Sequence, residues 1–334
     1  MRFKVVLFLG VLFAMAYACG GDLQQTAHEE VKAGVNGLQN LNQQLEQDSL
    51  DHTLLTRRAK LYLESGQLNK AMHDINRSLE INSDNVDVYL TLAEIYFALG
   101  LPENCNTALL RALEIDRDDT RAHIKLAELS LLQQNYNLAM GYIMQALEIS
   151  SYNPEAYYVR AMLYMSRKDT MLAIRSFQLA LNQKEDFYEP LIQLGSIYSA
   201  EHNPLAEDYL LKAISLFPQS LQARYQLALY YQENNRLNDA LAHYDTLLMR
   251  QPGNKHVLFN IGYVNLVYLL DYESSINYFE EALQVDPNYV EALYNKGRAM
   301  EELGRLVAAR EIYHEVLDKR SNYQLAIEAL NRIN

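Results

Sequence analysis

Segments of this chain repeat every 34 residues, and that period constrains the fold more than any other feature. Residues 86–119 read VDVYLTLAEIYFALGLPENCNTALLRALEIDRDD, and residues 120–153 read TRAHIKLAELSLLQQNYNLAMGYIMQALEISSYN. Segments 52–85 and 154–187 have the same length. Segment 188–220 is one residue short in its inner turn, at His202-Asn203-Pro204, and 221–254 restores the period. Segment 255–289 carries one extra residue near Leu269–Tyr272, and 290–323 completes an eighth repeat. A unit this small has no core of its own, so successive units must stack and share one. Apolar residues spaced three and four apart run through every segment, which predicts helices. Only seven prolines among 334 residues leave those helices room to form.

Three columns become visible when the segments are stacked. Small residues recur on the first helix of each unit, at Ala59, Ala93, Ala127, Ala161, Gly195, Ala228, Gly262 and Gly297. A tyrosine follows three positions later at Tyr62, Tyr96, Tyr164, Tyr198 and Tyr231, with Ser130, Asn265 and Met300 departing. A second small column opens the second helix, at Ala71, Cys105, Ala139, Ala173, Ala206, Ala240, Ser275 and Ala309. Asp51, Asn85, Asp119, Asn153, Ser220 and Asn254 precede first helices, where a short polar side chain caps free N–H groups. Phe187, Tyr289 and Tyr323 break that cap column.

These columns resemble those of the tetratricopeptide repeat family, over residues 52–334. The resemblance implies an all-α fold, a right-handed α-solenoid of about eight tetratricopeptide helix pairs with a C-terminal capping helix. It also implies a protein-binding task rather than catalysis. Ahead of the repeats, Val31, Val35, Leu38, Leu41 and Leu45 keep helical spacing and predict a leading helix. In the tail, Leu325, Ile327, Ala329, Leu330 and Ile333 predict the polar-backed cap that a repeat array needs.

The chain opens MRFKVVLFLGVLFAMAYAC, with Arg2 and Lys4 ahead of an apolar run and Ala16-Tyr17-Ala18 at its end. That is the pattern of a secretory signal, and its run is too short to span a bilayer. Cleavage after Ala18 exposes Cys19, an arrangement that resembles a bacterial lipoprotein signal with Cys19 as the lipidated residue. Tyr17 and Ala16 depart from the stricter form of that signal, where leucine leads. The expected organisation is therefore a lipoprotein signal peptide over 1–18, a lipid tether and leading helix over 19–51, eight repeats over 52–323 and a capping helix over 324–334.

Local signals for chemistry are absent from the sequence. None of the eight histidines forms an i,i+4 metal-binding pair, and there is no Gly-rich phosphate loop. No catalytic residue, metal or cofactor is expected, and the chain is read as not an enzyme. A net charge of −13 disfavours nucleic acid as a partner. Cys105 occupies a small-residue column and is expected to pack between helices.

In the tetratricopeptide family the first helices line a concave groove, and their second, fifth, ninth and twelfth positions point inward. The resemblance assigns a partner-binding strip to Tyr158, Met162, Met165, Tyr225, Leu229, Phe259, Tyr263, Leu266 and Tyr294. Lys60, Glu94 and Glu128 make the earlier repeats more charged there, so docking is expected in the later ones. Only Lys60 matches the Lys and Asn pattern of the family's carboxylate clamp, so capture of a C-terminal carboxylate is not expected. The expected function is a lipid-anchored protein-binding scaffold of the bacterial cell envelope. It would be an outer-membrane lipoprotein facing the periplasm, engaged in envelope assembly, secretion or pilus-type biogenesis. The competing expectation is a glycan-binding accessory lipoprotein of an outer-membrane transporter, against which the absence of tryptophan counts.

Overall fold

The structure, a computed structural model, describes residues 26–333, with side chains described from residue 37 onward. The signal segment, Cys19 and the side chains of Val31 and Val35 therefore lie outside the described residues. The described residues contain helices and connecting turns but no strand. Helix α1 (Thr26–Gln47) precedes eight antiparallel pairs. These are α2 (His52–Glu64) with α3 (Leu68–Ile81), α4 (Val86–Ala98) with α5 (Pro102–Ile115), and α6 (Thr120–Leu132) with α7 (Tyr136–Ile149). Next come α8 (Pro154–Ser166) with α9 (Thr170–Gln183), α10 (Tyr188–Ala200) with α11 (Leu205–Leu216), and α12 (Leu221–Glu233) with α13 (Leu237–Arg250). Helices α14 (Lys255–Val264) with α15 (Tyr272–Val285), α16 (Val290–Glu302) with α17 (Leu306–Lys319), and a last helix α18 (Gln324–Arg332) complete the order. This is an all-α solenoid architecture of consecutive helix pairs. The chain divides into two compact units, residues 1–190 and 191–334.

Close approach within each pair follows from the first small column. Opposite it, one large side chain of the second helix is fully buried in every pair: Ile75, Leu109, Ile143, Phe177, Leu210, Tyr244, Phe279 and Tyr313. Glycine is required where that partner comes nearest. A Cβ on Gly195 would lie 2.6 Å from Leu210, one on Gly262 2.8 Å from Phe279, and one on Gly297 2.7 Å from Tyr313. The second small column is buried throughout, Cys105 included. Cores are shared between consecutive pairs. Ala122, Leu126 and Leu129 of α6 belong to one cluster with Ala93 and Ile95 of α4, while Ala326, Ala329 and Leu330 of α18 join Tyr294 and Tyr313.

All six expected caps form. Asp51 accepts from the N–H groups of Thr53 and Leu54, Asn85 from Val88, Asp119 from Ala122, Asn153 from Ala156, Ser220 from Ala223, and Asn254 from His256 and Val257. Asp169 and Asp271 do the same for second helices α9 and α15. Each first helix ends on one residue of positive φ: Gly66, Gly100, Gln134, Lys168, His202, Asn235, Leu270 and Gly304. In seven of the eight, paired backbone bonds close the end, as where Gly100 N–H donates to Phe97 and Leu101 N–H to Tyr96.

The two length changes have distinct solutions. The missing residue of the fifth pair is taken from the start of α11, which has 12 residues where the other second helices have 14. The extra residue of the seventh pair falls earlier than the sequence suggests. It is absorbed as a π turn over Asn265–Leu269, where Asp271 N–H donates to Asn265 O at 3.0 Å. At the C-terminus, Arg332 pairs with Glu301 at 2.7 Å and Arg310 donates to the Ile333 carbonyl. Leu325, expected on the inner stripe of the cap, is exposed, and Ala326 is buried in its place.

Gly297→Ala should lower stability by about 1–3 kcal/mol, because the added methyl overpacks against the Tyr313 ring. Lys168→Gly should raise it by up to about 1 kcal/mol, because a left-handed residue with a Cβ is strained. A denaturant melt of each variant reads both changes.

Candidate partner-binding surface

The fifth position of the first helices, expected to face a partner, is turned largely into the structure. Thr56, Leu90, Ile124, Ile192 and Tyr294 are buried there, while Tyr158, Tyr225 and Phe259 are half-buried. Aromatic packing accounts for this. Tyr158 lies 5.9 Å from Phe177 and 5.5 Å from Phe187. Phe259 lies 5.7 Å from Phe279 and 5.3 Å from Tyr289, and Tyr294 lies 5.7 Å from Tyr313 and 5.3 Å from Tyr323. Each trio joins a first-helix ring, the buried ring of its own second helix and the residue just before the next first helix. The three aromatics that interrupt the cap column are thus the closing members of these trios. A cation covers each one, Lys184 over Phe187, Lys255 over Tyr289 and Arg320 over Tyr323.

Tyr225 has Asn254 at the corresponding closing position and uses a hydrogen bond instead. Its hydroxyl accepts from Asn260 Nδ2 at 3.0 Å, and its ring tilts against Tyr244 at 6.3 Å. Tyr244 in turn donates to Gln232 Oε1 at 2.8 Å. Burial pushes the Tyr225 hydroxyl up from its ordinary value, and the Asn260 bond opposes that rise.

Two of the nine strip residues are therefore corrected. Leu266 is 3% exposed, in a core cluster with Ile276 and Phe279, and Tyr294 is 9% exposed within its ring trio. Neither offers surface to a partner. Met162 and Met165 in residues 1–190, and Leu229 and Tyr263 in residues 191–334, are half-buried and reach solvent. Tyr263 stacks on Phe259 at 6.1 Å and meets Tyr268 edge-on at 6.4 Å.

A concavity on the earlier repeats has the better-formed geometry. Helices α4, α5, α6 and α8 enclose about 280 Å³, with walls that include Phe97, Leu109, Leu131, Leu132, Tyr158 and Met162. Phe97 is 45% exposed despite its size. Three charged groups line the same space, Glu94, Lys125 and Glu128. Lys125 Nζ lies 2.6 Å from Glu94 Oε1, which ties α6 to α4. Glu128 makes no ion pair or hydrogen bond among the described residues. It is accessible to water, yet the crowded wall pushes its carboxyl above the ordinary range; Lys125 opposes this shift and Glu94 reinforces it. Burial pushes the Tyr158 hydroxyl up to about 12, and the charges of Glu189 and Glu128 add to the effect. Burial also raises the Cys105 thiol, which lines this cleft, to about 11.

From the sequence, docking is expected in the later repeats because Lys60, Glu94 and Glu128 make the earlier ones more charged, yet Tyr158 and Met162 of the expected strip line this cleft beside Glu94 and Glu128. Their signal was the 34-residue spacing at the ninth helical position, beside Phe97 and Leu131 at the twelfth. Among the described residues, no group of three or more His, Cys, Asp or Glu side chains gathers to hold a metal ion.

Family comparison is consistent with the geometry. A family profile described as tetratricopeptide repeat matches residues 62–129, and a second of the same description matches 198–255, 225–268 and 264–324. The chain belongs to the tetratricopeptide repeat family. The APC/C hetero-tetramer Cut9-Hcn1 resembles it at TM-score 0.57 with 18% identity, covering 86% of this chain. This tetratricopeptide chain spans 56% of the length of the Cut9-Hcn1 chain it matches. PilW, described as a widely conserved type IV pilus biogenesis factor, matches at TM-score 0.53 and 20% identity over 63% of this chain and 98% of its own. A tetratricopeptide repeat protein from Parabacteroides merdae ATCC 43184 matches at 0.51 and 14% over 74% and 98%. At these identities the likeness establishes the tetratricopeptide fold.

Phe259→Ala should cost about 3 kcal/mol in a denaturant melt, since it empties the centre of a ring trio. Met162→Ala, at a site that reaches solvent, should cost about 1 kcal/mol or less. Cys105 should react with an aromatic disulfide reagent only as fast as the protein opens, because its thiol is buried and protonated at neutral pH. Reaction at the rate of a free cysteine in the folded protein would contradict that placement.

Proposed function

We propose that this chain is a non-catalytic, lipid-anchored scaffold of the bacterial cell envelope that holds a protein partner on its first-helix face. The observation that carries the binding reading is the apolar cleft of α4, α5, α6 and α8, which leaves Phe97 uncovered. Phe97 does not stand alone there: Leu131, Leu132 and Met162 line the same cleft, and a contiguous apolar surface of this kind marks an interaction site. Its tetratricopeptide architecture suits the task, because stacked helix pairs present extended rigid surfaces.

Anchoring rests on the N-terminal sequence. Ala16 and Ala18 flank Tyr17 ahead of Cys19, which would be the lipidated residue, and six residues separate Cys19 from α1. No helix among the described residues is long and apolar enough to cross a membrane. Acyl chains contribute about 0.8 kcal/mol per buried CH₂, so two or more hold a soluble body firmly to a bilayer. Attachment to the outer membrane, facing the periplasm, is the arrangement we favour. Similarity to PilW, a pilus biogenesis factor, supports a place in envelope assembly, secretion or pilus-type biogenesis.

Cys19→Ser should move the protein from the membrane fraction to the soluble fraction in a high-salt wash, with helical content unchanged. A variant that still sediments with membranes would overturn the lipid anchor. Copurification from detergent-solubilised membranes tests the scaffold: a stoichiometric protein partner, lost when Phe97 and Met162 are both replaced by alanine, is the expected outcome.

A further inference from the structure

The cleft between the first helices of the second, third and fourth repeats is apolar in its walls but not neutral in charge. Glu94 and Lys125 satisfy each other at 2.6 Å. Glu128 is left over, on the same helix as Lys125 and three residues from it, yet without an ion-pair contact. Burial is the largest influence on its carboxyl, and the two nearest charges, Lys125 and Glu94, act on it in opposite senses. The space therefore carries one uncompensated negative charge among Phe97, Leu131, Tyr158 and Met162.

This arrangement sorts possible occupants by charge. An acidic segment would meet Glu128 and Glu94 together and be repelled. A neutral apolar segment would fill the walls but remove water from Glu128 with nothing in exchange, and burying an unpaired carboxylate is costly. A cation set beside an apolar side chain satisfies both features, because its charge pairs with Glu128 while its neighbour fills the walls. A volume of about 280 Å³ is below the usual range for drug-sized ligands and suits one or two anchoring side chains. The net charge of −13 acts in the same sense at longer range, drawing basic partners to the chain.

We infer that this cleft selects a partner-protein segment in which a lysine or arginine lies beside a large apolar residue, with Glu128 as the group that reads the base. The inference rests on the proposed docking function and names the chemistry of its partner. Phe97 and Met162 supply the apolar contact, and Glu128 supplies discrimination. The Glu94–Lys125 pair holds α4 and α6 in register and keeps Lys125 from neutralising Glu128.

The test uses the whole chain carrying Cys19→Ser, with random dodecapeptides displayed on phage as the probe. Selection on this protein should enrich lysine or arginine within a turn of Phe, Leu or Met, and selection on a Glu128→Gln version should not. The strongest synthetic peptide should bind Glu128→Gln at least about tenfold more weakly, the scale of a desolvated charge pair. The same peptide with its base replaced by glutamine should bind both proteins alike. Phe97→Ala and Met162→Ala, at sites that reach solvent, should lower the melting temperature by no more than a few degrees, leave the protein folded at the assay temperature and weaken both peptides. Enrichment of peptides without a base, or equal binding to Glu128→Gln, overturns the charge reading. Docking in the cleft survives that result if Phe97→Ala still weakens the peptides. Peptides indifferent to Phe97→Ala and Met162→Ala overturn the inference and the cleft's role in docking together.

Discussion

Within every pair, a small residue on the first helix faces a large, fully buried side chain on the second, and the rest of the structure depends on that contact. It sets how closely the two helices approach, and hence which flanks remain for the neighbouring pair. Where the buried partner is Phe279 or Tyr313, the first helix carries Gly262 or Gly297, since a Cβ would overlap the ring. Burying one such side chain contributes about 1.5–3 kcal/mol, and the contact recurs in all eight pairs. Stability is therefore spread along the array rather than concentrated in one centre.

The ring trios add a second level, from pair to pair. A first-helix ring packs against a second ring toward the next pair where something aromatic waits at the entrance to the following helix, and Phe187, Tyr289 and Tyr323 are there. Those positions hold capping residues in most other repeats. Tyr289 and Tyr323 make no side-chain cap, so a backbone hydrogen bond to a polar side chain has been exchanged for aromatic contact. Tyr225 shows the alternative. With Asn254 kept as a cap, its hydroxyl is engaged by Asn260 instead.

These demands of packing decide what is left for recognition. Aromatic residues that look available in a list of inward positions are spent in trios, whereas Phe97 remains 45% exposed at the edge of a cleft. The charges beside it are unequal in fate. One acid is paired across repeats and the other makes no ion pair, so an apolar cleft of the N-terminal unit also bears a specific electrostatic mark.

The sequence by itself determined the period, the helix pairs, the small columns, the six caps and the presence of both length changes. Each of these depends on groups within one helical turn of each other or on a spacing repeated eight times, so local chemistry and register suffice. Tertiary structure alone decided which side chains of the inward columns are interior. Tyr158 is sheltered by residues 19 and 29 positions away, and Leu266 lies in a cluster with Ile276 and Phe279 of the following helix. It also decided that Glu94 would meet Lys125 and that Glu128 would not. Exposure and pairing are properties of surfaces brought together from different repeats, and a column of residue types records neither the distance nor the angle at which they meet.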